Sequence, residues 1–486
     1  MRTRAACLLV CLLLVCCALS AAFAEAPAAG QEYVSGGFTG ALQDDGTLMI
    51  VQYTGREVDP EIPAEIEGAA VTAIGPSVFQ DNSTVTEVVI PEGIVSLGDS
   101  VFKRCSSLES VSLPASLTGI GVNPFAGCES LFEVKIAKGN PNLEMTDGAL
   151  YSLNDSRLVY YSMQNEPGEY ALREGTRIIG ADAFYGCLNI DRLVIPEKPE
   201  GKAGAVLATI GRRAFCGCEN LKSINLGDTE VSTIGADAFS GCVKLKTVTF
   251  PDEVTSIAER AFYGCSRLRE LNMPETITSI GEMAFRNCDS LTSVRLPDGV
   301  SAIGKNTFAG CKSLAEVELP ESLSYIGGGA FLGCEKLEKL DLPGSVGYIG
   351  SDTFSGCTAL KEITIPENCS YIGPSAFFHC VSLTSLTIPG GIYTINASTF
   401  SGCGRLTEIV LPDELEEIGE RAFFSCVSLP EIEIPDPVEV IGDYAFSQCL
   451  SLQKIGLPED LEVIGPNTFD AAQLSFLPDL SGMIEE

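Results

Sequence analysis

Apolar and polar residues alternate at period two for about six positions, apolar residues then recur three and four apart, and the whole pattern repeats every 23 residues. From Leu291 it reads Leu291-x-x-Val294-x-Leu296-Pro297-x-x-Val300-x-x-Ile303-Gly304-x-x-x-Phe308-x-x-Cys311. Phenylalanine keeps this step from Phe239 through Phe262, Phe285, Phe308, Phe331, Phe354, Phe377, Phe400, Phe423 and Phe446 to Phe469. Cysteine keeps it at Cys242, Cys265, Cys288, Cys311, Cys334, Cys357, Cys380, Cys403, Cys426 and Cys449, and proline from Pro251 to Pro458. Phe79, Phe102, Phe125, Phe184 and Phe215 extend the series upstream, giving 16 coils marked by Phe.

Each position has a physical reading. The period-two segment predicts a short strand with one buried face, ended by Pro. The Gly after each Ile (Gly281, Gly304, Gly327, Gly350, Gly373, Gly419, Gly442, Gly465) predicts a backbone position with φ > 0. Asn396 in the same place fits that reading, and Ala258 departs from it. The x-x-[A/T]-Phe segment predicts a single helical turn that drives Phe into the core. One coil cannot bury its apolar face, but stacked coils make a continuous core and a long parallel sheet. At about 4.8 Å per coil, 16 coils extend roughly 75–80 Å.

The consensus seen from Leu337 to Cys357 resembles the leucine-rich repeat superfamily, specifically its BspA-like (Treponema pallidum-type) branch, over about residues 70 to 470. The resemblance implies an α/β right-handed solenoid with a parallel β-sheet on its concave face. It also implies exported or surface proteins of microbes that bind host proteins, other cells or matrix.

Two segments interrupt the repeat. Residues 137–176 hold Gly148 to Ser152 and Arg157 to Ser162 around Asn154-Asp155, a hairpin signal that is similar to insertions in the same family. Near the N-terminus, Thr39 to Leu42 and Thr47 to Tyr53 flank Asp44-Asp45-Gly46, a second hairpin that covers the exposed edge of the first coil. Phe469 is retained at the other end, but Ala472 stands in the Cys register, marking a degenerate closing coil. The expected organisation is a signal peptide at 1–24, a hairpin cap at 25–70, the solenoid at 71–470 and a C-terminal cap or tail at 471–486.

The signal peptide follows from Arg2 and Arg4, the apolar run Leu8 to Leu19, and Ala22-Phe23-Ala24 ahead of Glu25. Cleavage after Ala24 predicts a secreted or cell-surface protein. The 486-residue chain has 31 Lys+Arg against 65 Asp+Glu, one His and no Trp, a formal −34. Losing the signal peptide leaves 29 basic and 65 acidic residues, a formal −36, with 16 Cys. Such a charge repels nucleic acid and anionic membrane surfaces, and a lone His excludes multi-His metal centres.

Fourteen of the sixteen Cys sit in the repeat register; Cys216 and Cys369 do not. An in-register ladder holds Cβ atoms near 4.8 Å, beyond the ~3.8 Å a disulfide prefers, so buried free thiols are expected. No C-x₂-C pair offers a metal site. Cys369 reads as core, and Cys216 as a more exposed thiol with redox or cross-linking as its alternative. Gly299 to Asn306 mimics a phosphate loop, but Asn306 replaces the Mg²⁺-ligating hydroxyl, and His379 reads as a solvated turn residue. No catalytic, cofactor-binding or metal-binding residue is assigned, and no enzyme activity is expected. Asn82, Asn154, Asn368 and Asn396 begin glycosylation sequons that matter only in a eukaryotic host.

The polar face of the predicted sheet is the candidate site. One outward column reads Glu270, Ser293, Glu316, Lys339, Glu362, Ser385, Glu408, Glu431, Lys454, and its neighbour includes Arg295, Glu318, Asp341 and Glu433. It reads either as a solvated face or as an acidic docking surface for a basic extracellular or cell-surface protein. Few aromatics project there, which weighs against sugar stacking. The expected function is binding, as an adhesin or surface-interaction module. The alternative is a structural or spacer role in a cell-surface layer.

Overall fold

A computed structural model describes residues 32–196, 206–459 and 461–475. The expected signal peptide and residues 476–486 of the expected tail lie outside the described residues. The architecture is a parallel β-solenoid in which each coil has three walls around one core. The first wall carries the longer strands, such as Ser293–Arg295, Glu316–Glu318 and Lys339–Asp341. Ser293, Glu316 and their neighbours pair parallel and in register. A second wall of two-residue strands, such as Ala302–Ile303, Tyr325–Ile326 and Tyr348–Ile349, lies after each Pro turn and also pairs parallel. Period-two alternation does not reveal a strand of two residues, so this second sheet is absent from the sequence reading.

The third wall overturns the expected helical turn. In the Phe331 coil, Ala330, Leu332 and Cys334 donate their N–H groups three residues back within the coil, to Gly327, Gly329 and Phe331. The alternate N–H groups of Gly329, Phe331 and Gly333 leave the coil and donate to Ser351, Thr353 and Ser355 of the next, at 2.8–2.9 Å. A helix would turn every N–H inward along its own axis. Here half of them are exported, so the wall is a chain of tight turns and a third inter-coil ladder. Among the described residues no coil contains a helix, and the only helix is Ala471–Leu474 at the closing end.

The glycine expectation is also corrected. Gly281, Gly304, Gly327, Gly350, Gly373, Gly419, Gly442 and Gly465 have no positive φ. They are glycine because a Cβ would strike the preceding coil: at Gly350 it would lie 2.8 Å from Gly327 C and Gly328 Cα. Asn396 is not left-handed either, and its amide donates to Ile372 O at 2.7 Å. Ala258 fits with its N–H to Ile234 O stretched to 3.0 Å, against 2.8 Å at Gly350. The left-handed positions lie in the turn wall, at Met283 (φ 56°) and Asn287 (φ 60°) in one coil, Asn306 (φ 53°) and Gly310 (φ 74°) in the next.

The core follows from these walls. Phe rings stack from Phe184 to Phe469 with centroids 4.8–5.7 Å apart. The Phe carbonyls point inward, where water cannot reach. Phe331 O accepts Cys334 N at 3.1 Å and the Cys357 thiol of the next coil at 3.2 Å. Cysteine suits this place because it is small and apolar yet carries a weak donor. Thr353, where other coils have Ala, buries its hydroxyl by donating to Gly350 O at 2.7 Å.

Tyr33–Ser35, Phe38–Leu42 and Leu48–Tyr53 pair antiparallel, and the last joins Ala69–Ile74 in parallel to start the second wall. Ala149–Ser152 and Arg157–Tyr161 form an antiparallel hairpin buried on both faces. Leu150, Val159 and Tyr160 face the core of the first coils, whereas Ala149, Tyr151, Leu158 and Tyr161 face the core of the later ones. The hairpin is therefore a partition, with Tyr160 meeting Phe125 at 5.5 Å on one side and Tyr161 meeting Phe184 at 4.9 Å on the other. At the far end no thiol reaches Phe446 O. The buried Gln473 amide donates to it instead at 3.2 Å, and to Cys449 O at 3.1 Å.

Two predictions follow from this packing. Gly350→Val should lower stability by about 1–3 kcal/mol in urea unfolding through forced displacement of the Gly327–Gly328 backbone. Gly344→Glu, at a site with open space that Glu321 and Glu367 occupy in neighbouring coils, should leave it within about 0.5 kcal/mol. The second concerns pH. Burial pushes the Cys311, Cys357, Cys403 and Cys449 thiols up to about 12 from an ordinary value of 9.0. Below pH 9 both states are protonated and the thiols add no pH dependence. Above it the unfolded chain loses protons that the folded chain keeps, so stability should fall up to about pH 12, by about 1.4 kcal/mol per thiol per pH unit. The urea midpoint measured in reductant at pH 8 and pH 10 checks this, and an unchanged midpoint would contradict it.

Candidate functional site

The first wall presents its outward side chains because successive residues of a strand point to opposite faces, so in its three-residue strands the central residue faces the core and the two flanking ones face solvent. Glu362–Thr364 and Glu408–Val410 show this exposed-buried-exposed order. Register carries the columns: Glu270 pairs with Ser293 and Ser293 with Glu316, Lys339 with Glu362, Ser385 with Glu408, and Glu431 with Lys454. All ten candidate residues therefore lie on one wall, in two columns.

The wall is not uniformly acidic, because its cations are already engaged. Arg295 bonds the Glu275 carboxylate of the preceding turn and approaches Glu318 at 3.6 Å. The Arg295 hydrogen bond holds the Glu275 carboxyl below the usual carboxylate range. Lys339 pairs with Asp341 at 3.0 Å and Lys454 with Glu431 at 3.3 Å. These pairs are solvent-exposed, and their stabilisation is small, about 0–1 kcal/mol each. Glu270, Glu316, Glu362, Glu408 and Glu433 form no ion pair among the described residues. Glu433 reaches over Gly456, where any Cβ would collide with its carboxylate.

Two hollows open on this wall. One of about 380 Å³ has Glu362, Glu367 and Glu408 among its lining residues, with Thr364, Ser385, Thr387 and Val410. The other, about 390 Å³, is lined by Arg192, Ser223, Asn225, Thr247 and Thr249, and its Arg192 is paired with Glu169 at 3.1 Å. The first therefore gathers unpaired carboxylates, and the second is polar and locally neutralised. Glu367 was not among the candidates, since it lies in the turn after Pro366 and only the coil geometry brings it beside Glu362. Glu275 escaped notice for the same reason.

The other residues singled out by sequence fall elsewhere. The ten ladder cysteines are buried and unbonded, as is Cys369. Cys216 is half-buried, and burial pushes its thiol up while the nearby Arg213 guanidinium opposes that shift. His379 is exposed in the turn wall, left-handed at φ 56°, with its ring 4.3 Å from Phe378. The Gly299–Asn306 segment runs from a turn into a two-residue strand, and its Val300 and Asn306 N–H groups are spent on Pro297 O and Gly328 O, leaving no phosphate cradle. Among the described residues no three His, Cys, Asp or Glu side chains are placed to hold a metal ion, and no helix is long and apolar enough to cross a membrane.

The profile of the family described as BspA type leucine rich repeat region (6 copies) matches residues 72–199, 177–308, 278–407 and 394–479. Solved structures that resemble the chain include a leucine-rich repeat protein from Bacteroides ovatus, at 26% identity, 91% of this chain, 93% of that one and a TM-score of 0.45. A leucine rich cell surface protein from Faecalibacterium prausnitzii has 25% identity, 79% and 96% coverage and a TM-score of 0.45. The leucine-rich repeat protein of T. pallidum has 22% identity, 63% and 91% coverage and a TM-score of 0.21. A comparison with curated proteins finds no match.

Proposed function

The chain belongs to the BspA-type leucine-rich repeat family, and from that premise we propose that it is an exported, non-enzymatic binding protein that holds a basic surface of an extracellular or cell-surface protein on its first wall. Proteins of this repeat type generally mediate protein–protein contact. The finer reading rests on one observation: the cations of this wall are paired in place, while Glu270, Glu316, Glu362 and Glu408 in one column, together with Glu433, are not. Glu316, Glu362 and Glu408 recur every second coil, roughly 10 Å apart, close to the Debye length of ~8 Å at physiological salt. Their mutual repulsion is therefore screened, whereas a partner's Lys or Arg brought into contact is not. The hollow at Glu362, Glu367 and Glu408 accepts a protruding basic side chain, with Thr364, Ser385 and Thr387 as hydroxyl partners. With this wall on the inner side of a right-handed curve, a partner meets several coils at once, and its affinity is spread along the column. In this reading the signal peptide is removed after Ala24 and the protein acts at the cell surface in adhesion.

The test is a pull-down with the mature chain at two salt concentrations, beside the variant Glu316→Lys/Glu362→Lys/Glu408→Lys. The variant should lose partner capture by about tenfold or more, and raised salt should weaken capture by the wild type. Equal capture by both proteins at low salt would overturn the acidic-wall reading. An ordered oligomer in light scattering without any captured partner would favour the spacer role in a surface layer.

A further inference from the structure

The second wall carries a surface of different chemistry. Its outward column reads Ala302, Tyr325, Tyr348, Tyr371, Thr394, and the column beside it Ser301, Ser324, Gly347, Ser370, Tyr393. Tyr325, Tyr348 and Tyr371 stand in register on successive coils. Their rings stack at 4.8 Å and 12° in both steps. Tyr325 is 38% exposed and Tyr393, one coil on and one residue back from the stack, 54%. Neither column holds a charged residue across these five coils, in a chain of net charge −34. The same columns turn acidic just beyond, at Glu416 and Glu417.

Ring stacking alone accounts for the alignment but not for the phenols. Ser256 and Ser279 take the column's place in earlier coils of the same wall, so a tyrosine is not needed to complete a coil. The hydroxyls of Tyr325, Tyr348, Tyr371 and Tyr393 have no hydrogen-bond partner among the described residues. Beside them, Ser324 and Ser370 donate to Ser301 O and Gly347 O at 3.2 and 3.3 Å, which leaves their oxygens able to accept from outside. Tyr348 covers one face of the Tyr325 ring. The other face looks toward its register partner Ala302, whose methyl group is too small to cover it. Gly347 adds no side chain between the rings and Ser370.

The chemistry of this strip selects its ligand. A cation finds no carboxylate in it, and an anion is repelled by the molecule as a whole. An apolar peptide would leave the phenols without partners, at a desolvation cost for each. A polyol offers C–H faces to an open aromatic ring and hydroxyls to the phenols, with no charge on either side. We propose that Tyr325, Tyr348, Tyr371 and Tyr393 form a binding strip for a neutral glycan, with a sugar ring on the open face of Tyr325 and further units along the phenol edge toward Tyr393. This site is on a different wall from the acidic columns and does not depend on them.

Native affinity gels containing amylose, dextran, mannan or β-glucan, with polygalacturonate as the anionic comparator, test it. At least one neutral polysaccharide should retard the mature chain, equally at about 50 and 500 mM salt. Replacing all four tyrosines by Phe keeps the ring stack and should leave the melting temperature unchanged while weakening retardation by about tenfold. Tyr325→Ala/Tyr393→Ala should abolish it, and Glu316→Lys/Glu362→Lys/Glu408→Lys should preserve it, which separates this site from the acidic wall. No retardation by any neutral polysaccharide, retardation by polygalacturonate alone, or full retardation of the four-Phe variant would overturn the proposal.

Discussion

Everything in this molecule depends on one constraint: a backbone group that points along the solenoid axis must meet its partner on the next coil. The turn wall shows how far this reaches. Gly329, Phe331 and Gly333 can donate to Ser351, Thr353 and Ser355 only if the intervening N–H groups close turns within the coil. That alternation forces left-handed backbone at two places per coil, even on Met283, Arg260 and Tyr444. Such conformations cost roughly 1–2 kcal/mol each on non-glycine residues, and the inter-coil bond plus the buried Phe offset that cost. The 23-residue period, the glycine that follows most of the Ile residues and the thiol beneath most of the Phe carbonyls all serve the same spacing.

Function is built on the same spacing. Because coils stack in register, any residue type repeated in the sequence becomes a column, and each wall can hold columns of its own chemistry. The first wall gathers carboxylates around one hollow, and the second gathers phenols on a strip without charge. The hairpin of Ala149–Ser152 and Arg157–Tyr161 separates the two cores and interrupts both sheets, and on its later side Arg157–Tyr161 restarts the second wall by pairing in parallel with Ile178–Ile179.

Much of this was legible in the sequence, and the rest was not for identifiable reasons. Recurrence of Phe, Cys and Pro revealed the coil, and period two revealed the first wall and the columns on it. The helical turn was misread because apolar spacing around Phe looks the same for a helix and for alternating turns. Only the direction of each N–H separates them. The glycines were misread because a steric need and a left-handed need both select Gly, while the true left-handed positions hold Asp, Arg, Ser and Tyr as readily as Gly. In the candidate site, register was predictable from period 23, but the Arg295–Glu275 pair joins residues of different coils and elements and had no sequence signal. Gln473 taking over the thiol's hydrogen bond at the last coil was hidden likewise, one residue past the Cys register.

The central claim, that the turn wall is a third inter-coil ladder, is tested most directly by native-state amide hydrogen exchange in the middle of the solenoid. The amides of Gly329, Phe331 and Gly333 should exchange as slowly as that of Gly350, which donates to Ile326 O on the second wall. Fast exchange of those three amides, at rates typical of surface turns while Gly350 stays protected, would contradict it.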